Sequence, residues 1–130
     1  MNPDEVLQFA IDMAEDAGKI TLKGFRNEST SIEYKSRTNL VTSVDMESEE
    51  FIYSTIRKNY PSHTIIAEEG SRKDQPGEFM WYVDPIDGTN NFAHGIPHFC
   101  ISIGLFSRTE NSMVCGAIYN PCSGEMFSAR

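Results

Sequence analysis

WYVDPIDGTNNF, residues 81–92, sets two carboxylates, Asp84 and Asp87, around a Pro-Ile pair straight after an apolar run, and follows them at once with Gly88 and Thr89. Pro85 fixes its own φ and pushes Asp84 toward extended geometry. The chain can then bend so that Asp84 and Asp87 face one site from two sides, with the Ile86 carbonyl as a third oxygen. Gly88 allows an unusual φ and a close approach of backbone to a ligand. Thr89-Asn90-Asn91-Phe92 can open a short helix, whose free N–H groups point at an anion. Metal ligands and a phosphate cradle therefore stand side by side, with the Thr89 hydroxyl near both.

Upstream of this stretch, HTIIAEEG (63–70) reads as a short apolar strand ending in two glutamates, SRKDQPGE (71–78) as a polar turn, and MWYVD (80–84) as a second strand ending in an acid. Downstream, FCISIGLFS (99–107) and MVCGAIYN (113–120) read as strands around a hairpin at RTEN (108–111), and GEMFSA (124–129) as one more. Residues 4–26 repeat apolar positions at helical spacing: Val6, Leu7, Ala10, Ile11, Ala14, Ala17, Gly18, Thr21, Phe25. Asn2 or Pro3 starts this helix, and Asp4 and Glu5 suit its first turn. Residues 32–34 read as a short strand. NLVTSVD (39–45) reads as β-branched and extended, with Asp45 as N-cap of a second helix over 46–59. Glu47, Glu49 and Glu50 would lie near that helix's start, Arg57 and Lys58 near its end, and Ser48, Ile52, Thr55 and Ile56 on its inward face. The class is α+β: two N-terminal helices packed on a mostly antiparallel sheet.

Three acidic sites thus share one kind of place, the end of an apolar extended segment: Asp45, Glu68 with Glu69, and Asp84 with Asp87. Strand ends converge at one edge of a sheet, so these acids can meet. Carboxylates brought together repel, and a cation relieves the repulsion. Hard oxygen ligands without thiolate or imidazole suit Mg²⁺ rather than zinc. One such acid alone is better read as a cap; the spacing in DPIDGT favours the site for the set. An EF-hand loop needs oxygen ligands at alternate positions before its glycine, which Asp84-x-x-Asp87-Gly88 does not supply. The D-x-D-G-T of aspartyl-phosphate phosphatases has one residue fewer between its acids.

Composition agrees. The chain has 130 residues, 39% hydrophobic and 23% charged, with a formal net charge of −8. It can build a core, and it lacks the basic surplus that a nucleic-acid partner requires. Three cysteines with no CxxC pair do not read as a disulfide framework. The acidic, amphipathic N-terminus does not read as a leader, and no apolar run reaches membrane-spanning length, so the expected setting is the reducing cytoplasm.

The pieces NLVTSVD (39–45), YPSHTIIAEEG (60–70), WYVDPIDGTNNFAHGIPHFCISIGL (81–105) and the GAIYNPCSGEMFSAR tail together resemble the N-terminal half of the inositol monophosphatase family, within the Mg²⁺-dependent, lithium-sensitive phosphatases. HGIPHF resembles bacterial members in particular. The resemblance implies the first half of a layered αβαβα sugar-phosphatase fold. It also implies that Glu68, Asp84 and the Ile86 carbonyl bind one Mg²⁺, that Asp84 and Asp87 contribute to a second, and that the Gly88 and Thr89 amides hold the substrate phosphate. Thr89, relayed through Asp45 and close to Glu68, would help activate the attacking water; Glu69 would support the ligands. The implied reaction is in-line attack of water on a phosphate monoester, inositol monophosphate first, with no phosphoenzyme.

Members of that family are about twice this long. Their second half supplies a W-D-x-A-A-G-like motif, which completes the second metal site, and most contacts to the alcohol. No such motif occurs here, so residues 1–130 read as an N-terminal α+β domain, inactive alone, from a protein whose full-length form the resemblance implies to be a homodimer. Nucleotide 3′-phosphate, histidinol phosphate and fructose bisphosphate are the alternative substrates. A non-catalytic metal- or anion-binding module is the alternative of another class. His94 and His98 read as loop or packing residues, Cys100, Cys115 and Cys122 as buried small hydrophobes, Phe92, Phe99, Phe106 and Phe127 as core or interface, Lys35 as a loop charge ahead of a group approaching the site, and Thr42 and Ser43 as structural.

Overall fold

The computed structural model describes residues 1–25, 34–67 and 77–130, with residues 34–42 as backbone only. Helices α1 (Pro3–Phe25) and α2 (Tyr34–Asn59) precede strands β1 (Thr64–Ala67) and β2 (Phe79–Asp87). The short helix α3 (Thr89–Ala93) and strands β3 (Cys100–Ser107), β4 (Ser112–Asn120) and β5 (Glu125–Ala129) follow. The strands form one sheet in chain order, β1 parallel to β2 and every later pair antiparallel. Among the described residues no helix is long and apolar enough to cross a membrane.

Asn2 is the residue that caps α1: its side chain accepts from the Asp4 N–H at 2.9 Å and its carbonyl from the Val6 N–H at 3.2 Å. Val6, Ala10, Ala14, Ala17, Gly18 and Thr21 of the expected stripe are buried, with Met13 added to them, while Leu7, Ile11 and Phe25 are half-buried at its margins. Small residues let this helix lie close to the sheet. A Cβ on Gly18 would stand 2.5 Å from the Tyr119 ring, so only hydrogen fits there. The stripe packs with Ile52 and Ile56 of α2 on Ile65, Trp81, Val83, Ile101, Ile103, Leu105, Cys115 and Ala117.

α2 corrects the reading of NLVTSVD. The helix begins at Tyr34, so Asp45 is neither at a strand end nor an N-cap but inside the helix, half-buried. Glu47, Glu49 and Glu50 consequently sit in its middle, and its first turn holds no acid. The physical reason is visible at Val44, Ser48, Ile52 and Ile56. These are buried at successive steps of four, one ridge of a helix, and packing on that ridge overrides the weak β preference of the branched residues. Residues 32, 33 and 71–76 lie outside the described residues, as do Glu68 and Glu69.

Ser48 is the odd member of the ridge. It is fully buried, and its hydroxyl has no hydrogen-bond partner among the described residues. A buried hydroxyl without a partner costs about 1–3 kcal/mol, and alanine is also the better helix former. Ser48→Ala is therefore expected to raise the melting temperature by roughly 3–6 °C. A lower melting temperature in a calorimetric scan would contradict this account.

The other face of the sheet is open. Tyr82, Met113, Ile118 and Phe127 expose 44%, 55%, 46% and 60% of their surface around a hollow of about 440 Å³. Phe127 is thus on an exposed apolar face, not in this chain's core. Contiguous exposed apolar surface of this kind marks a contact face.

Candidate active site

The opening motif is built on a β-bulge. Asp84 stands opposite Ser102 and Asp87 opposite Cys100, so three steps on β2 match two on β3, and Ile101 alone faces Pro85 and Ile86. Without the extra residue, acids three apart would point to opposite faces of the sheet; with it they share one. That face is the open one, the side of Tyr82 and away from α1 and α2. Pro85 explains the position of the bulge, since a central strand tolerates proline only where the ladder is already broken. β2 accordingly runs to Asp87 rather than ending at Asp84.

A second, smaller core holds the bulge from behind. Ile86 is buried with Val44, Phe92 and Phe99, and Phe25 and Cys122 pack against them. The rings of Phe25, Phe92 and Phe99 lie 5.0–5.5 Å apart. Val44 brings the neighbouring Asp45 of α2 to this end of the molecule. Gly88 follows in the left-handed region at φ 101°. A Cβ there would come within 3.2 Å of the His98 carbonyl and of the Phe99 side chain, so a side chain is disfavoured by the backbone angle and by the tight space. Its carbonyl accepts from the Phe92 N–H at 3.0 Å and starts α3, with Thr89 exposed in the first turn. The amides of that turn have no helical acceptor. Asn91 donates to the His98 carbonyl at 2.8 Å and ties α3 to the segment leading into β3.

A cleft of about 330 Å³ opens beside Asp87 and Gly88, lined further by Asn91, His98, Cys100 and Asn120. It shares Ile118 and Phe127 with the apolar hollow, so the two form one continuous surface. Cys100 belongs to this site, which its place in an apolar run hides; only the register opposite Asp87 reveals it. Burial, with the Asp87 and Asp84 carboxylates adding to it, pushes the Cys100 thiol up, so it stays uncharged at neutral pH. His94 and His98 are both exposed.

The structure thus brings Asp84, Ile86, Asp87, Gly88 and Thr89 together at one end of β2. Asp84 is half-buried and its Oδ1 is shielded from solvent. Among the described residues no three His, Cys, Asp or Glu side chains gather as a metal centre requires, and Glu68 is not one of the described residues. β1 ends at Ala67, in register with Val83 immediately before Asp84. The acidic donors at this end of β2 are the Asp84 and Asp87 carboxylates, beside the neutral Cys100 thiol. That oxygen-only set fits a hard cation such as Mg²⁺ and not zinc.

The sequence profile of the inositol monophosphatase family matches residues 2–130. A protein of Pasteurella multocida named Nus factor SuhB is 41% identical over 131 residues, covering 99% of this chain and 48% of its own length. A protein of Dictyostelium discoideum named inositol monophosphatase is 42% identical over 130 residues, covering 97% and 47%. The crystal structure of inositol monophosphatase II from Staphylococcus aureus superposes with a TM-score of 0.82 at 31% identity, over 97% of this chain and 46% of that one. The chain spans about half the length of the curated relatives it matches.

Proposed function

The chain belongs to the inositol monophosphatase family, and on that premise we propose that the protein containing it is a Mg²⁺-dependent phosphate monoesterase whose first substrate is inositol monophosphate. The observation that carries this reading is the bulge, which turns Asp84 and Asp87 to one face and delivers the chain directly into the left-handed Gly88. Asp84, Asp87, the Ile86 carbonyl and Glu68 would hold Mg²⁺. Bound there, the ion supplies neutralisation of phosphate charge and a water acidified enough to attack. The Gly88 and Thr89 amides would bind the phosphate oxygens, and Thr89 with Asp45 would orient the attacking water. Positioning and charge neutralisation carry most of phosphoryl transfer, and these residues are suited to both.

The relatives carry two different names, Nus factor and inositol monophosphatase, so family membership alone does not select the substrate. Residues 1–130 are assigned to the N-terminal half of the protein, a cytoplasmic homodimer, with the second half lying over the open apolar face and closing the cleft beside Asp87. This chain by itself would then turn over substrate at least about a hundredfold more slowly than the complete protein, for want of a metal ligand.

The test is phosphate release by the complete protein, with and without Mg²⁺, from inositol 1-phosphate, a nucleotide 3′-phosphate, histidinol phosphate and fructose bisphosphate. Mg²⁺-dependent release, fastest from inositol 1-phosphate, is expected. Release fastest from another ester would keep the reaction and replace the substrate. No Mg²⁺-dependent release from any of the four would overturn the reading.

A further inference from the structure

At the opposite end of the β1–β2 pair from the candidate site lies a buried histidine that the phosphatase reading does not use. His63, directly before β1, is 6% exposed. Its ring stacks on Tyr60 at 4.8 Å and 18°, with Phe79 at 5.1 Å and Trp81 at 6.2 Å. The indole Nε1 of Trp81 lies 3.0 Å from His63 Nδ1. An indole N–H only donates, so Nδ1 is the acceptor and the imidazole proton sits on Nε2. Adding a proton to His63 would put an N–H on Nδ1, facing the Trp81 N–H. Two donors cannot share that bond.

β1 depends on this bond more than a longer strand would. It has four residues and, among the described residues, lies at the sheet edge and pairs with β2 alone. A further side-chain tie at this end is the Thr64 hydroxyl, which accepts from the Gly77 N–H at 3.1 Å. The strand runs from Thr64 to Ala67, and Glu68 is the next residue in the chain.

We propose that His63 is a positioning residue and a proton-released latch: neutral, it fastens β1 to β2 through Trp81, and protonated, it releases the strand that leads to Glu68. Burial lowers the tendency of this imidazole to take a proton, and the Glu78 carboxylate, in the segment before β2, opposes that more weakly. Among the described residues, the Arg57 guanidinium of α2 donates to the Pro61 carbonyl and to the Tyr53 hydroxyl, and the Arg108 guanidinium, after β3, donates to the Met80 sulfur. Glu5 of α1 and Cys115 of β4 act on Tyr60. A histidine whose folded pKa lies below its usual value contributes stability that is full above about pH 6.5 and is lost as pH falls through the folded value. The latch is therefore closed at neutral pH and opens in acid. This inference stands apart from the phosphatase reading and survives its failure.

Trp81 is the only tryptophan, so indole emission reports on the surroundings of this one side chain. Emission of this chain, titrated from about pH 8 to about pH 4.5, is expected to step with a midpoint below about 6.5. Below the step, amide protection in Thr64–Ala67 should fall about tenfold while β3 keeps its protection. His63→Gln should remove the step. A step that persists in His63→Gln overturns the proposal, and so does equal loss of protection in β1 and β3. If His63→Gln does not fold, ¹⁵N chemical shifts of the unsubstituted imidazole decide: protonated Nε2 above the step is expected, and protonated Nδ1 overturns the latch.

Discussion

Trp81→Ala is expected to leave the chain unfolded, or on the edge of it, at room temperature. Trp81 is the largest fully buried side chain and stands where α1, the end of α2 and the sheet meet. Phe9 of α1 packs on it at 5.8 Å and Tyr60 at 5.9 Å. Truncating a buried tryptophan to alanine costs about 3–5 kcal/mol in lost transfer energy and cavity. The same change strands His63 Nδ1 without its donor, for about 1–3 kcal/mol more. Domains of this size have about 5–15 kcal/mol in all, so the sum consumes most or all of it. Trp81→Phe separates the two contributions, since it keeps most of the ring volume and loses the N–H. A urea titration followed by circular dichroism should place Trp81→Phe between the unsubstituted chain and Trp81→Ala. Equal midpoints for all three would show that neither packing nor the bond to His63 matters.

Asp84→Asn is expected to remove the response to magnesium. The substitution keeps shape and removes the charge that a hard cation needs. In the complete protein it should lower phosphate release at least about a hundredfold, since altering groups that merely support a metal ligand already costs about 10–100-fold. The sharper readout is thermal protection. A ligand present at a hundred times its Kd stabilises the folded state by about 2.7 kcal/mol. Asp84→Asn should abolish that increment, whereas Asp16→Asn, a change on exposed α1 surface, should leave it intact. An unchanged magnesium increment in Asp84→Asn would exclude Asp84 as a ligand.

Much of this architecture is legible in the sequence because it is carried by local rules. The apolar stripe of α1, the hairpin between β3 and β4, the short helix after Gly88 and the strand–turn character of WYVDPIDGTNNF all follow from periodicity and turn chemistry within about ten residues. The reading failed at NLVTSVD, where the branched residues favour a strand and the ridge Val44, Ser48, Ile52, Ile56 favours a helix. A short window weighs the first signal; contact with α1 and the sheet decides for the second. A Cβ on Gly24 would lie within 2.4 Å of the Val44 side chain, which shows how closely the two helices meet there. Cys100 reads as a buried small hydrophobe because it lies in an apolar run, yet it is half-buried, and Asp87 faces it only across the ladder.

The sequence by itself determined the class of the fold and the order and spacing of the acids and the glycine. Each depends on residue type and short spacing. Tertiary structure decided which acids share a face, which side of the sheet that face is, that Asp45 rides inside a helix, and that His63 and Trp81 meet. Each of these is a relation between segments well separated in the chain. Register across a ladder and packing of a ridge are properties of pairs of segments, and a single residue of slip turns a side chain to the opposite face.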